Sequence, residues 1–396
     1  MAGVSDKARF YLERSVPQLQ EFAEKKIFAA AEIKSFVKKR SEFEHKVLAR
    51  GSTPIDFAQY AAWETNLERL RQKRCSRLRI KSDSRYAGPA RTFQIYDRGT
   101  QKHPGDVGLW MSYLEFARKE KGTKKWEAAL TQALRLHPTK EDFWLYAARW
   151  SLERDGDMAA ARSYMQRGTR FCTRNARLWI EYAKMEMIYL AKIALRRKIL
   201  GLDPVEEEVA EEEVEEEDGF ATSQDVISLK THTLRSEMVA KVQVDGEAKK
   251  DPMDTPALNG AIPMAIYDSA TKQSFFCTAV AEQFFDMFAL FTQVRSLSRI
   301  LQHVLDSMRD MYAKDASTFS CYTRWPVVTL DVTSSEFPMA LATSLSRAKE
   351  ARESVSVRDR AALAKKTRAW VEPILAREDI DPGVRTVLEV MLQRIE

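Results

Sequence analysis

The feature that most constrains this chain is a word repeated on a fixed period: LWMSYLEF at 109–116, FWLYAARW at 143–150 and LWIEYAKM at 178–185. Trp110, Trp144 and Trp179 stand 34 and 35 residues apart. A period in this range is the mark of a helical repeat array, in which each helix pair is buried by its neighbours. Position +3 from the tryptophan holds Tyr113, Ala147 and Tyr182; position +6 holds Phe116, Trp150 and Met185. Offsets of 0, 3, 4 and 6 or 7 line one face of a helix, so these residues form a repeat core. An earlier, divergent copy reads FAQYAAWE at 57–64 and supplies Phe57, Tyr60 and Trp63 to the same core.

The punctuation between the words agrees with helix pairs. Gly122 and Gly156 fall twelve residues after Trp110 and Trp144, where a first helix must end and turn. A second helical pattern follows each turn, at 126–136 and 158–171, and closes on His103-Pro104, His137-Pro138 or Cys172-Thr173. Proline there cannot continue the preceding helix. Thr139, with Asp142 three residues on, is placed to cap the next helix, and Thr53-Pro54 opens the divergent copy. That copy's second helix is expected at 89–99, after an insertion at 71–88. The third first-helix lacks a turn glycine and runs on towards Gly201 as one long helix. The predicted fold class is all-α: an α-solenoid of helix pairs.

Four zones follow. Residues 1–52 form an amino-terminal helical segment, with patterns at Leu12, Val16, Leu19, Ala23 and Ile27, then Ile33, Val37, Phe43 and Val47. Residues 53–202 hold the repeats and the long closing helix. Residues 203–260 read as a disordered acidic linker, since ten of the thirteen positions from Glu206 to Asp218 are acidic. Residues 261–396 form a carboxy-terminal helical region of divergent repeats, with Phe284, Phe288 and Phe291 on one stripe and two more helices after 337. The piece around Trp325-Pro326 fits no repeat.

Charge is uneven. The whole chain carries +6, and without the ten acidic residues of 206–218 the remainder carries +16. The densest basic run is Arg69, Arg71, Lys73, Arg74, Arg77, Arg79 and Lys81, seven cations in thirteen positions. Lys38-Lys39-Arg40 and Arg196-Arg197-Lys198 are smaller clusters. A run of this density can neutralise RNA phosphates, dock on acidic protein or serve as an import signal, or it can be a solvated helix face. The aromatics of this chain sit at core offsets and offer no exposed platform for bases.

Catalytic chemistry is not expected. No phosphate-binding glycine loop, metalloprotease motif or nucleophile elbow occurs, and His103 and His137 belong to the repeat linker. Cys75, Cys172, Cys277 and Cys321 are at least 44 residues apart, giving neither a metal site nor a disulfide framework and fitting a reducing compartment. No cofactor and no small-molecule substrate is expected. The amino terminus lacks the apolar stretch of a secretory signal, and the most apolar segment, 277–294, carries Glu282 and Asp286, which argues against a membrane span.

The tryptophan-bearing first helix and its proline linker resemble the half-a-TPR (HAT) repeat of RNA-processing proteins. Tyr11-Leu12-Glu13, Val16-Pro17-Gln18-Leu19, Ile33, Val37-Lys38-Lys39-Arg40 and Phe43-Glu44 come first in the chain. Asp56-Phe57, Tyr60, Trp63-Glu64 and Asn66-Leu67-Glu68 follow in that order. Over roughly residues 8–200 this order resembles the U3 small nucleolar RNA-associated protein 6 family. The resemblance implies a nucleolar scaffold of the U3 ribonucleoprotein and small-subunit processome. It would sit among WD-repeat propeller proteins of the UTP-B subcomplex and be needed for the early pre-rRNA cleavages that yield 18S rRNA. Two alternatives share the repeat: a HAT adaptor in pre-mRNA splicing or 3′-end processing, and a generic TPR-type protein adaptor.

Overall fold

The computed structural model describes residues 4–200, 258–356, 359–377 and 380–395. The acidic stretch expected at 203–260 therefore lies, up to residue 257, outside the described residues. Among the described residues there are seventeen α-helices, one π-helical turn and no strand, which is the all-α class read from the repeats. The chain divides into two compact units, residues 1–143 and 144–396.

In the first unit, α1 (Val4–Glu13), α2 (Val16–Glu24) and α3 (Ala30–Leu48) precede α4 (Pro54–Leu78), α5 (Ala87–Lys102), α6 (Val107–Lys119) and α7 (Thr123–Leu136). Helices α1 and α2 pack on α3, and α3 on α4; α4 packs on both α5 and α6, α5 on α6, and α6 on α7. Contact with the next helix and the next but one is the ladder of stacked helix pairs. Local chemistry sets the boundaries. The periodic pattern from Leu12 to Ile27 is cut in two, with Pro17 in the first turn of α2, where its missing N–H costs nothing. Asp56 accepts from the amide (2.7 Å) and hydroxyl (2.9 Å) of Thr53 at the start of α4. Asp106 caps α6 through the Leu109 amide at 2.6 Å. Thr139 does not cap: α8 (Glu141–Trp150) starts two residues later, leaving Thr139 in the turn after Pro138.

The rings expected to form the repeat core are turned inward. Phe57, Tyr60, Trp110, Tyr113, Phe116, Trp144, Ala147, Trp179 and Tyr182 are buried, and Trp63 and Trp150 are half-buried. A hydrogen bond recurs with them. The hydroxyl of Tyr60 donates to Glu44 at 3.0 Å, and that of Tyr113 to Asp97 at 2.5 Å, each partner sixteen residues upstream. Tyr182 accepts from Gln166, again sixteen upstream, at 3.5 Å. Beside these bonds Phe43 stacks on Tyr60 and Tyr96 on Tyr113, with centroids 5.0 and 5.3 Å apart. Helix α3 thus takes the place of a second helix, so repeat geometry begins inside the amino-terminal segment.

The second helices share an ending. The amides of His103, His137 and Cys172 reach the carbonyls of Gly99, Ala133 and Gly168, all at 2.8 Å and on the 34- and 35-residue period. A Cβ on Gly99 would meet the Phe57 ring at 3.0 Å, and one on Gly168 would meet Trp144 at 3.0 Å. Small residues there let a first-helix ring lie against the second helix. At the first turn the left-handed residue is Lys121 (φ 55°), not Gly122, whose Cβ would meet Phe93 at 2.9 Å. Gly156 does adopt the left-handed conformation (φ 62°), closing the π-turn Ser151–Asp155.

In the second unit α9 (Met158–Phe171) is capped by Asp157 and the 24-residue α10 (Ala176–Ile199) by Asn175. Helices α11 (Ala261–Thr271), α12 (Thr278–Ala289), α13 (Leu297–Tyr312) and α14 (Ala316–Val328) follow. Then come α15 (Phe337–Ser354), α16 (Arg360–Leu375) and α17 (Pro382–Ile395), three helices after residue 337 where two were expected. Each of α12 to α16 packs on its successor, apart from the α15–α16 step, and α12–α14, α14–α16 and α15–α17 also meet. The segment that fits no repeat by sequence is α14, with Pro326 inside it. Phe284 and Phe288 are fully buried between helices, and Phe291 is half-buried. No described helix is long and apolar enough to cross a membrane.

Candidate interaction surface

The basic run lies on the second half of α4 and the connection to α5. Helix α4 absorbs the first part of the 71–88 insertion and ends at Arg79, which is left-handed (φ 53°). Its inner face packs Leu67 and Cys75 against Phe22, Ile27 and Phe28, with Ile80 completing the cluster.

Two of the seven cations are spent internally. Arg71 is buried, and its guanidinium grips the Glu68 carboxylate with two hydrogen bonds of 2.9 and 2.5 Å. Arg74 donates to both oxygens of Glu32, at 2.8 and 2.7 Å, and lies 4.5 Å over the Phe28 ring. Hydrogen bonds from Arg74, with one from the Ala29 amide, pull the Glu32 carboxyl down to about 2. Arg71 and Arg74 therefore leave the set of candidate partner contacts: their charges are already neutralised.

The remaining five, Arg69, Lys73, Arg77, Arg79 and Lys81, are exposed. Arg69, Lys73 and Arg77 recur every four residues and share one helix face. The one acidic residue between 65 and 78 is Glu68, which is committed to Arg71. Among the described residues no carboxylate lies within ion-pair distance of these three. Arg69 also lines a cleft of about 140 Å³ with Phe116, Lys119 and Glu120.

The connection after α4 is clamped from α2. The amides of Asp83 and Ser84 donate to the two oxygens of Glu21 at 2.7 and 3.0 Å. Lys25 donates to the Lys81 carbonyl, to Asp83 and to Glu21 at 3.0, 2.7 and 3.1 Å. Burial alone would raise the Glu21 carboxyl, but bonds from Ser84, Lys25 and the Asp83 amide outweigh it and hold it at about 2. On this fixed connection Arg85 and Tyr86 point outward; Tyr86 is 73% exposed, with the Arg85 guanidinium 5.7 Å from its ring. Sequence periodicity missed this ring because it belongs to no helical face.

Of the smaller basic clusters, Arg40 is committed internally while Lys38 and Lys39 stay exposed. Arg40 is 1% exposed and pairs with Glu64, also 1% exposed, through two bonds of 2.8 and 3.0 Å. Arg98 pairs likewise with Glu44 at 2.8 and 2.9 Å and covers the Tyr11 ring at 3.9 Å. Arg196, Arg197 and Lys198 occupy the last turn of α10, where cations complement the helix carbonyls. His137 donates from Nε2 to the Pro104 carbonyl (2.7 Å), tying one repeat linker to the next. An open groove of about 440 Å³ holds the hydrogen-bonded pair His303 and Asp268 at 2.6 Å, but no Ser, Thr or Cys lines it.

Stacked helix pairs with rings inside and an exposed cationic face outside define a helical-repeat protein. Residues 12–93, which include this face, match the family described as U3 small nucleolar RNA-associated protein 6. The chain is 36% identical over 200 residues to U3 small nucleolar RNA-associated protein 6 of Schizosaccharomyces pombe, covering 50% of this chain and 41% of that protein. It is 32% identical over 186 residues to the homologue of Mus musculus and 30% over 185 residues to that of Homo sapiens. These two matches each cover 46% of this chain and 31% of the relative. The resemblance read from the sequence is borne out as a similarity to this family, and the chain spans less than half the length of the relatives it matches.

Proposed function

We propose that this chain is a non-enzymatic scaffold subunit of the U3 ribonucleoprotein within the small-subunit processome, working in the nucleolus. The observation that carries the reading is the match of residues 12–93 to the U3-associated family, on a fold built from stacked repeats. Such arrays offer large outer surfaces on which other macromolecules dock, while their aromatic seams supply stability. WD-repeat propellers of the UTP-B subcomplex are the protein partners this reading assigns. Early cleavage of pre-rRNA towards 18S rRNA is the process it serves. Affinity purification of the tagged chain from nuclear extract tests the reading. Recovery of U3 RNA together with propeller subunits supports it; recovery of splicing or 3′-end processing factors without U3 RNA overturns it.

A further inference from the structure

We propose that the corner formed by α4 and the 79–86 connection binds single-stranded RNA, with Arg69, Lys73 and Arg77 as a phosphate rail and Tyr86 as a base-stacking ring. The inference deepens the function proposed above and takes from it the choice of RNA over DNA, which the ring and the rail do not distinguish.

Three observations carry it. First, four other arginines of this unit are committed: Arg40, Arg71, Arg74 and Arg98 each hold a carboxylate in a two-pronged grip. Against that background the α4 face carries three cations, one per helical turn, none in an ion pair among the described residues, with Glu120 of α6 facing Arg69 across the cleft. At 1.5 Å per residue they extend over about 12 Å. Like charges four residues apart repel, so the face is costly to the free protein and suits a polyanion.

Second, Tyr86 presents its ring to solvent beside Arg85 on the connection after α4, and Pro89, three residues beyond it, lines the same cleft as Arg69. A ring face next to a guanidinium is the pairing on which unstacked bases are held. An acidic peptide would use the cations but leave the ring idle. A duplex keeps its bases stacked on one another and would do the same.

Third, the connection that carries the ring is fixed. Glu21 takes the Asp83 and Ser84 amides, and Lys25 takes the Lys81 carbonyl and Asp83 carboxylate. The ring is thereby held ready, and little ordering remains to be done on binding.

The test is fluorescence anisotropy of the purified full chain with a labelled oligo(A) RNA of about 20 nucleotides, long enough for one such surface. The unmodified chain is expected to bind it more tightly than an RNA duplex or an oligoglutamate peptide of similar charge. The triple variant R69Q/K73Q/R77Q should weaken binding at least tenfold and flatten the salt dependence by about two units of slope, near 0.7 per lost phosphate contact. Tyr86→Ala should weaken binding roughly tenfold with the salt slope unchanged, and Tyr86→Phe should retain it. Both sites are exposed, so unchanged circular dichroism and Tm will show that the variants fold. Equal affinity of Tyr86→Ala and the parent, or tighter binding of oligoglutamate than RNA, overturns the proposal. Recovery of U3 RNA from cells by the Tyr86→Ala chain would leave the scaffold function standing, so the two failures are distinguishable.

Discussion

A guanidinium N–H of Arg347 donates to the backbone carbonyl of Tyr322 at 3.1 Å. That carbonyl is the one left without a helical donor by Pro326, four residues on in α14. The same guanidinium lies 4.4 Å over the Tyr322 ring and 5.0 Å over Trp325, while Arg309 covers Tyr322 at 4.1 Å. Helix α15 thus supplies what the proline removes from α14, and this is how a proline is carried in the last turn of the helix. Arg347→Ala should cost about 1–3 kcal/mol of stability, since it strands a carbonyl. In a Pro326→Ala background the cost should shrink by about 1 kcal/mol, because the backbone amide restored at that position satisfies the Tyr322 carbonyl. Urea unfolding of the four chains measures the coupling; equal costs in both backgrounds would break the link.

The Arg40–Glu64 pair is a second dependency that charge alone hides. Glu64→Gln should destabilise by roughly 3–5 kcal/mol, because it leaves Arg40 buried and unpaired, and Arg40→Met by less, because Arg91 still reaches Glu64 at 3.7 Å. Replacing both with apolar residues of similar volume should recover part of the Glu64→Gln loss, the remainder being the cost of Arg91 left without Glu64. A double variant less stable than either single one would contradict this assignment.

Glu21 gives the amino-terminal unit an acid limit. Its carboxyl sits at about 2, below its ordinary value of 4.5, so the ionised form is favoured by folding. The stabilisation is complete above about 4.5 and is lost as pH falls towards about 2, when protonation releases the Asp83 and Ser84 amides. Glu21→Gln should lower stability at neutral pH and flatten the fall between those limits. Denaturation midpoints taken across this range show whether it does; parallel curves for the two chains would exclude Glu21.

Repeat packing predicts opposite signs for two similar substitutions. Trp144→Ala should cost roughly 3–5 kcal/mol by opening a cavity against α9. Gly168→Ala gains helix propensity of about 1 kcal/mol but presses on Trp144, and overpacking at about 1–3 kcal/mol should win. Gly108→Ala, whose Cβ would meet only Asp106 at 3.4 Å, should be neutral or slightly stabilising. Thermal unfolding separates them: a Gly168→Ala chain at least as stable as the parent would mean the ring is not held where the structure places it.

The periodic part of the architecture was legible because a large ring that recurs once per repeat has to be buried between helices. Burial of Trp110, Trp144 and Trp179 follows from that spacing. Charged residues were not legible in the same way. Arg40 and Arg74 look like parts of basic clusters, and their partners Glu64 and Glu32 lie 24 and 42 residues away, beyond any local pattern. Pro326 reads as a breaker, and its remedy, Arg347, is on another helix. Tyr86 escapes a search for faces because it stands on a connection whose conformation Glu21 dictates from α2.

The central claim, that this chain scaffolds small-subunit rRNA maturation, is tested most directly by the ratio of 18S to large-subunit rRNA after the protein is depleted in cells. The account predicts that 18S rRNA falls, that unprocessed early precursor accumulates and that large-subunit rRNA is spared, with the intact chain restoring the ratio and Trp144→Ala failing to. An unchanged ratio on full depletion would contradict it.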